Sequence, residues 1–263
     1  MKVNELIKKC VCFVALQKYS GEFNLVGTAF FVVNDNNRDT ELYAITAKHV
    51  IVGIKNKGLE KVFFRMNLRN GTFFHFETNL KDWIFHPDEN TDIAMFSFGV
   101  KLDYMFDHYF FPTSRFVDEQ YLISNEVEPG DEVFIIGLFR HYSGQRKNLP
   151  IVRIGNIAAM DDEKIQTKWH LMEGYLIEAR SIGGLSGSPV FTNLGIQRAF
   201  SSNAKPTGHP VSLLGLIYGH FDSFAYKLDE SADLEEDKIS VNTGIAIVTP
   251  ISKLLELLPH MKQ

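Results

Sequence analysis

The sequence predicts an all-β fold of the sandwich or barrel class. Short apolar runs recur along the chain, rich in β-branched and aromatic residues and mostly too short for helices. Between them lie separators such as "NDNNRD", "RNG", "EPGD" and "YSGQRKN", which carry the residues that tight turns require. Among 263 residues, 22 are phenylalanine, a residue that fits the pleated surface of a sheet.

Taken in order, "VNELIKK" predicts a short helical turn and "CVCFVAL" a first strand. The lysines before that strand resemble the start of a signal peptide. However, the apolar run is at the lower length limit, Glu5 interrupts the basic region and no small-x-small cleavage site follows. Next come "LVGTAFFVV" and "ELYAITAKHVI", then "KVFFRMNL" and "GTFFHFET", which Asn70-Gly71 joins as a hairpin. "DIAMFSF" closes the first half. The stretch 112–125, "PTSRFVDEQYLISN", has the weakest strand signal. It divides an N-terminal lobe (1–112) from a C-terminal lobe (126–263), with 113–125 as the connection. The second half supplies "EVFIIGLF", "IVRIGNIAAM", "YLIEARS", "SPVF", "LLGLIYGHF" and "GIAIVTP" as strands. "PISKLLELLPHM" gives a closing helix, with Leu254, Leu255, Leu257 and Leu258 on its apolar face. Residues 222–242 carry "LDESADLEED", expected as a solvated acidic loop.

Composition bounds the function. An apolar fraction of 45% and a charged fraction of 22% are those of a soluble globular chain. A net charge of −5 argues against a phosphate-neutralising surface, so nucleic acid is not the expected partner. No run approaches the roughly 18 apolar residues of a membrane span. Cys10 and Cys12 are the only cysteines, and a bridge between such near neighbours on one strand would be strained. The expected setting is therefore a reducing one, the cytoplasm.

The motif that carries chemistry is "SIGGLSGSPVF", residues 181–191. It places Ser186 among glycines, which fits a plain tight turn or a nucleophile that needs bare backbone N–H groups beside it. A serine hydroxyl requires a base to take its proton and a third group to orient that base. "ITAKHV" offers His49 at the end of a strand run, and "NTDIAMFSF" offers Asp92 just before another. The order His, Asp, Ser and the absence of Gly-x-Ser-x-Gly exclude the nucleophile-elbow hydrolases.

These segments together resemble the trypsin-like (chymotrypsin-fold) serine proteases, most closely the HtrA/Deg branch. "GTAFFV" is similar to the family's strand before the histidine, "ITAKHV" to its histidine motif and "TDIAMF" to its aspartate motif. "EPGDEVFIIG" resembles the strand that opens the second barrel, "GGLSGSPVF" the nucleophile loop, and "GIAIVTPISKLLELL" the last strand and closing helix. The resemblance implies two six-stranded antiparallel barrels with a cleft between them, His49 and Asp92 in the first and Ser186 in the second. It implies a serine endopeptidase acting on polypeptides through an acyl-enzyme, with no metal or organic cofactor. The backbone N–H groups of Gly184 and Ser186 would form the oxyanion hole. A catalytically silent or latent relative that binds peptides or partners is the alternative.

Three departures matter. Leu185 stands where relatives carry an acid or amide, so activation by N-terminal trimming is not expected. Ser188 replaces a glycine, and no PDZ domain is expected after the closing helix. For specificity, Arg180 lies where the base of the substrate pocket falls in the family. Its guanidinium either selects an acidic side chain or points outward to Glu178 or the acidic loop. Tyr218, Gly219 and His220 would line the other wall, with His220 a donor to a substrate amide. Restraint of such a protease would fall to a regulatory partner, with the acidic loop as its contact.

Overall fold

Strand β1 (Val11–Gln17) is buried from Val11 to Leu16, so its sequence shows an unbroken apolar run in place of alternation. In the computed structural model, which describes residues 2–35, 41–99, 102, 104–160, 163–167, 170–179, 183–195, 209–226 and 238–258, this strand lies inside the first sheet. Its neighbours are β2 (Phe23–Asn34) and β4 (Lys61–Asn67), both antiparallel. From β4 the sheet turns at Asn70-Gly71 into β5 (Phe73–Asn79), as the sequence predicts. Gly71 takes φ +83°, and the Thr72 N–H donates to Asn70 Oδ1 at 3.0 Å. On the other side β2 pairs with β3 (Glu41–Thr46), then β7 (Ala94–Ser97) and β6 (Trp83–Phe85). The short β8 (Phe111–Pro112) adds in parallel to β2.

This first sheet has eight strands and stops short of the closed six-stranded barrel that the resemblance implies. Its two edge strands, β5 and β6, are joined by a 3-10 turn at Leu80–Asp82. Across that corner Trp83 Nε1 donates to Thr78 Oγ1 at 3.1 Å, and no backbone pairing between β5 and β6 closes the sheet among the described residues. The second half does close. β9 (Glu132–Gly137), β10 (Ile151–Ala159), β13 (Tyr175–Glu178), β16 (Lys238–Pro250), β15 (Val211–Tyr226) and β14 (Pro189–Asn193) form a six-stranded barrel. A small hairpin, β11 (Ile165–Gln166) with β12 (Leu171–Met172), stands beside it.

Two of the helices start at side-chain caps. In α1 (Glu5–Lys8), Asn4 Oδ1 accepts the Leu6 N–H, and in α3 (Glu119–Ser124) Asp118 caps Tyr121. The chain 41–51, expected as one strand, instead splits. β3 ends at Thr46 and α2 (Lys48–Lys55) follows, because Val50, Ile51 and Ile54 recur at helical spacing and are buried. The closing helix is reduced to α4 (Ser252–Leu255), which buries Leu254, while Leu258 beyond it is also buried. It returns to the first sheet, where His86 Nε2 meets Glu256 Oε2 at 3.2 Å. The outer parts of 222–242, expected as loop, extend β15 and β16, with Tyr226 opposite Lys238. "LDESADLEED" itself lies outside the described residues.

One apolar core runs across both halves. Phe111 packs on Phe191 at 5.1 Å between ring centroids, and Phe191 stacks on Phe134 of the barrel at 5.0 Å. All three rings are buried. A second cluster fills the barrel and includes Leu185, wholly buried beside Ser186. Among the described residues no helix is long and apolar enough to cross a membrane.

Candidate active site

His49 sits in the first turn of α2, and what holds it there is Asp92. The α2 N-terminus has no side-chain cap of its own. Asp92 supplies one from the segment before β7, its Oδ1 accepting the His49 backbone N–H at 2.8 Å. The other oxygen, Oδ2, lies 2.7 Å from His49 Nδ1. One carboxylate therefore fixes both the helix end and the ring, leaving Nε2 as the nitrogen able to take a proton. Asp92 is 6% exposed, whereas the His49 side chain is 45% exposed. Burial disfavours the imidazolium, but the hydrogen bond and charge of Asp92 outweigh it, and the His49 pKa sits above the ordinary histidine value.

Ser186 lies on the loop before β14, half-buried. Ordering of that loop starts at Gly184, which takes φ +106°, a conformation that favours glycine. Gly187 takes φ +78° and presses against Thr46 and Ala47, the residues leading into α2, so the nucleophile loop touches the histidine segment directly. Among the described residues neither the Gly184 nor the Ser186 N–H donates a hydrogen bond, and Ser186 Oγ makes none. Both backbone donors and the hydroxyl are therefore uncommitted among the described residues.

Thr28 ties this seam together, and sequence reasoning missed it. Its N–H donates to the Ser186 carbonyl at 3.0 Å, and its Oγ1 donates to the Gly184 carbonyl at 2.9 Å. The same oxygen accepts the Leu138 N–H at 2.9 Å, while its carbonyl accepts the Thr46 hydroxyl at 2.7 Å. Threonine is common in strands, so nothing in "GTAFF" sets this hydroxyl apart; only its full burial does. Thr28→Val keeps the shape and removes both side-chain bonds, stranding the Leu138 N–H. It is expected to cost about 1–3 kcal/mol in denaturant unfolding, with Thr28→Ser recovering most of it.

Of the specificity candidates, Tyr218 is brought to the site. β15 is irregular between Ile217 and Gly219, and this bulge places Tyr218 out of register. Its ring meets His49 edge-on at 5.8 Å and His170 at 6.1 Å. Burial raises the Tyr218 pKa, a hydrogen bond from Thr167 opposes this, and the Asp92 charge adds to the rise. Gly219 and His220 follow on the same strand, opposite Ile247 and Ala246. The backbone bonds between the nucleophile loop and β15 end at Ile217, with the Gly187 N–H on its carbonyl and its own N–H on Ser188. Past that point no described strand pairs with this edge. Arg180 lies outside the described residues. No group of metal-ligating side chains occurs among the described residues.

A sheet joined to a six-stranded barrel, with an oriented histidine, a carboxylate and a glycine-flanked serine at their seam, defines a trypsin-like peptidase domain. Residues 27–195 match the family of that description, and the chain belongs to it. Among solved structures the fold is similar to the MamO protease domain from Magnetospirillum magneticum (apo form). The TM-score is 0.56 at 14% identity, covering 96% of this chain and 97% of that one. No curated protein sequence matches the chain.

Proposed function

We propose that the protein is a serine endopeptidase in which Ser186 is the nucleophile, His49 the general base and then acid, and Asp92 the residue that orients it. The supporting observation is the 2.7 Å contact between His49 Nδ1 and Asp92, set beside a serine flanked by two uncommitted backbone donors. A polypeptide substrate adds as an extended strand to the open edge of β15, along Tyr218, Gly219 and His220. Ser186 Oγ attacks the scissile carbonyl carbon while His49 Nε2 takes the hydroxyl proton. The oxygen of the tetrahedral intermediate is held by the N–H groups of Gly184 and Ser186. Collapse expels the amine, which receives the proton from His49 and leaves an acyl group on Ser186. Water repeats the sequence and frees the acid product.

One observation favours a second reading, a latent or silent domain: among the described residues Ser186 Oγ has no hydrogen bond to His49. Labelling by a fluorophosphonate probe separates the two. The native chain is expected to label and Ser186→Ala to stay dark, since loss of such a nucleophile costs about 10⁶ in kcat. An unlabelled native chain would sink the endopeptidase reading and leave peptide binding as the function.

A further inference from the structure

Next to Gly183, which Arg140 approaches, opens a pocket of ≈ 350 Å³ lined in part by Phe23, Arg65, Phe73, His75, Arg140 and Ser143. Its chemistry is one-sided. Two guanidiniums and an imidazole line it, and no carboxylate does among the described residues. Arg65 is only 6% exposed. Its guanidinium lies 4.0 Å over the Phe73 ring, and one nitrogen, Nη2, donates to the Gly144 carbonyl at 2.6 Å. The Nε of Arg65 is buried without a partner among the described residues, which leaves the guanidinium only partly satisfied. His75 is stacked on Phe23 at 3.7 Å, and burial followed by the charge of Arg65 holds its pKa below the ordinary value. Arg140 is exposed, and its Nη2 donates to the Val26 carbonyl at 3.1 Å. Among the described residues neither arginine is paired with a carboxylate.

The position of the pocket relative to Ser186 gives it a role. Arg140 Nη1 comes within 3.8 Å of where a side chain on Gly183 would begin, and Gly183 precedes the oxyanion glycine. Val26, which Arg140 holds, is two residues before Thr28, whose N–H bonds the Ser186 carbonyl. Ser186 is therefore flanked by β15 on one side and by β2 with Arg140 on the other. A chain whose acyl half lies along Tyr218–His220 leaves across Arg140.

We propose that this pocket takes a carboxylate on the leaving-group half of the substrate, read by Arg140 at its mouth and Arg65 at its floor against the walls of Phe23 and Phe73. The inference rests on the endopeptidase reading for its direction along the substrate, but not for its ligand chemistry. A peptide library with amidated C-termini would be digested by the native protein and by Arg140→Glu, a change at an exposed position that leaves the triad untouched. With the native enzyme, Asp and Glu are expected to be enriched within the three positions after the cleavage site. In Arg140→Glu that enrichment falls about ten-fold, or inverts toward Lys and Arg, with the preference before the cleavage site unchanged. Equal profiles after the cleavage site in the two proteins would overturn the proposal. A parallel library of neutral peptides with free C-termini distinguishes a terminal carboxylate from a side chain, because only a terminal-carboxylate site cuts near the ends of these.

If neither protein cleaves, the endopeptidase reading has failed and the pocket is judged by binding. Fluorescence anisotropy of a labelled amidated Gly-Glu-Asp-Gly peptide, against its Gly-Gln-Asn-Gly counterpart, would be read on Ser186→Ala with and without Arg140→Glu. Preference for the acidic peptide that disappears with Arg140→Glu supports the carboxylate site. Equal binding of the two peptides overturns it.

Discussion

Asp92→Asn is expected to lower kcat by about four orders of magnitude while leaving the chain folded. The amide can still accept the His49 backbone N–H through its oxygen, so the start of α2 is kept. What fails is the ring. The carboxylate oxygen 2.7 Å from Nδ1 accepts the proton there; an NH₂ in its place donates, so Nδ1 must become the acceptor and Nε2 must carry the hydrogen. A protonated Nε2 cannot take the serine proton. The substitution also moves the titration of His49. In the native fold the Asp92 bond and charge outweigh burial and raise its pKa. The pair's contribution to stability is complete below the unfolded histidine value of about 6.5 and is lost as pH rises through the raised value. In the proposed mechanism turnover needs the neutral base and is expected to increase across that same interval. In Asp92→Asn the burial that opposes the charged ring remains while its counterion is gone, and the imidazole titration, followed by NMR, is expected to shift to lower pH. A titration unmoved by the change would show that Asp92 does not govern His49.

Gly187→Ala is expected to damage both fold and site. The residue holds φ +78°, which costs a side chain about 1–2 kcal/mol. The added methyl would be driven into the Thr46 hydroxyl and the Thr28 carbonyl and would lie 2.9 Å from Ala47 N. None of these can yield cheaply, because Thr46 Oγ1 and Thr28 O are bonded to each other at 2.7 Å inside a fully buried seam. The combined destabilisation is expected to be roughly 3 kcal/mol or more by denaturant unfolding. Probe labelling should fall further than the unfolded fraction explains, since α2 and the nucleophile loop are pushed apart. Wild-type stability in this variant would mean that the loop is free to move away from Thr46.

Most of the strand order is legible in the sequence because the strands are separated by strong turn chemistry and several are buried on both faces. β1 and β9 are written as apolar runs, and Asn70-Gly71 marks its hairpin directly. The short strands are another matter. β6 and β8 hold only Trp83–Phe85 and Phe111–Pro112, too few residues for a period to show. α2 was hidden for a different reason: "ELYAITAKHVI" is apolar by either period, and the break at Thr46 is set by what packs on Val50 and Ile51. In the candidate site, Ser186, His49 and Asp92 could be singled out from residue type and order, whereas Thr28 acts through a hydroxyl that only tertiary contact makes special. The open first sheet was equally invisible, since whether β5 and β6 pair is settled by tertiary geometry and not by their local pattern.

The core that passes from Phe111 through Phe191 to Phe134 carries a thermodynamic consequence. Opening the cleft by separating the two halves would expose those rings to water, at roughly 25 cal/mol for each Å² uncovered. Sheet and barrel are therefore expected to melt together, in one cooperative transition by calorimetry. Any molecule that settles in the cleft draws on that coupling: it holds the entire chain against heat, in proportion to the logarithm of its concentration over its dissociation constant.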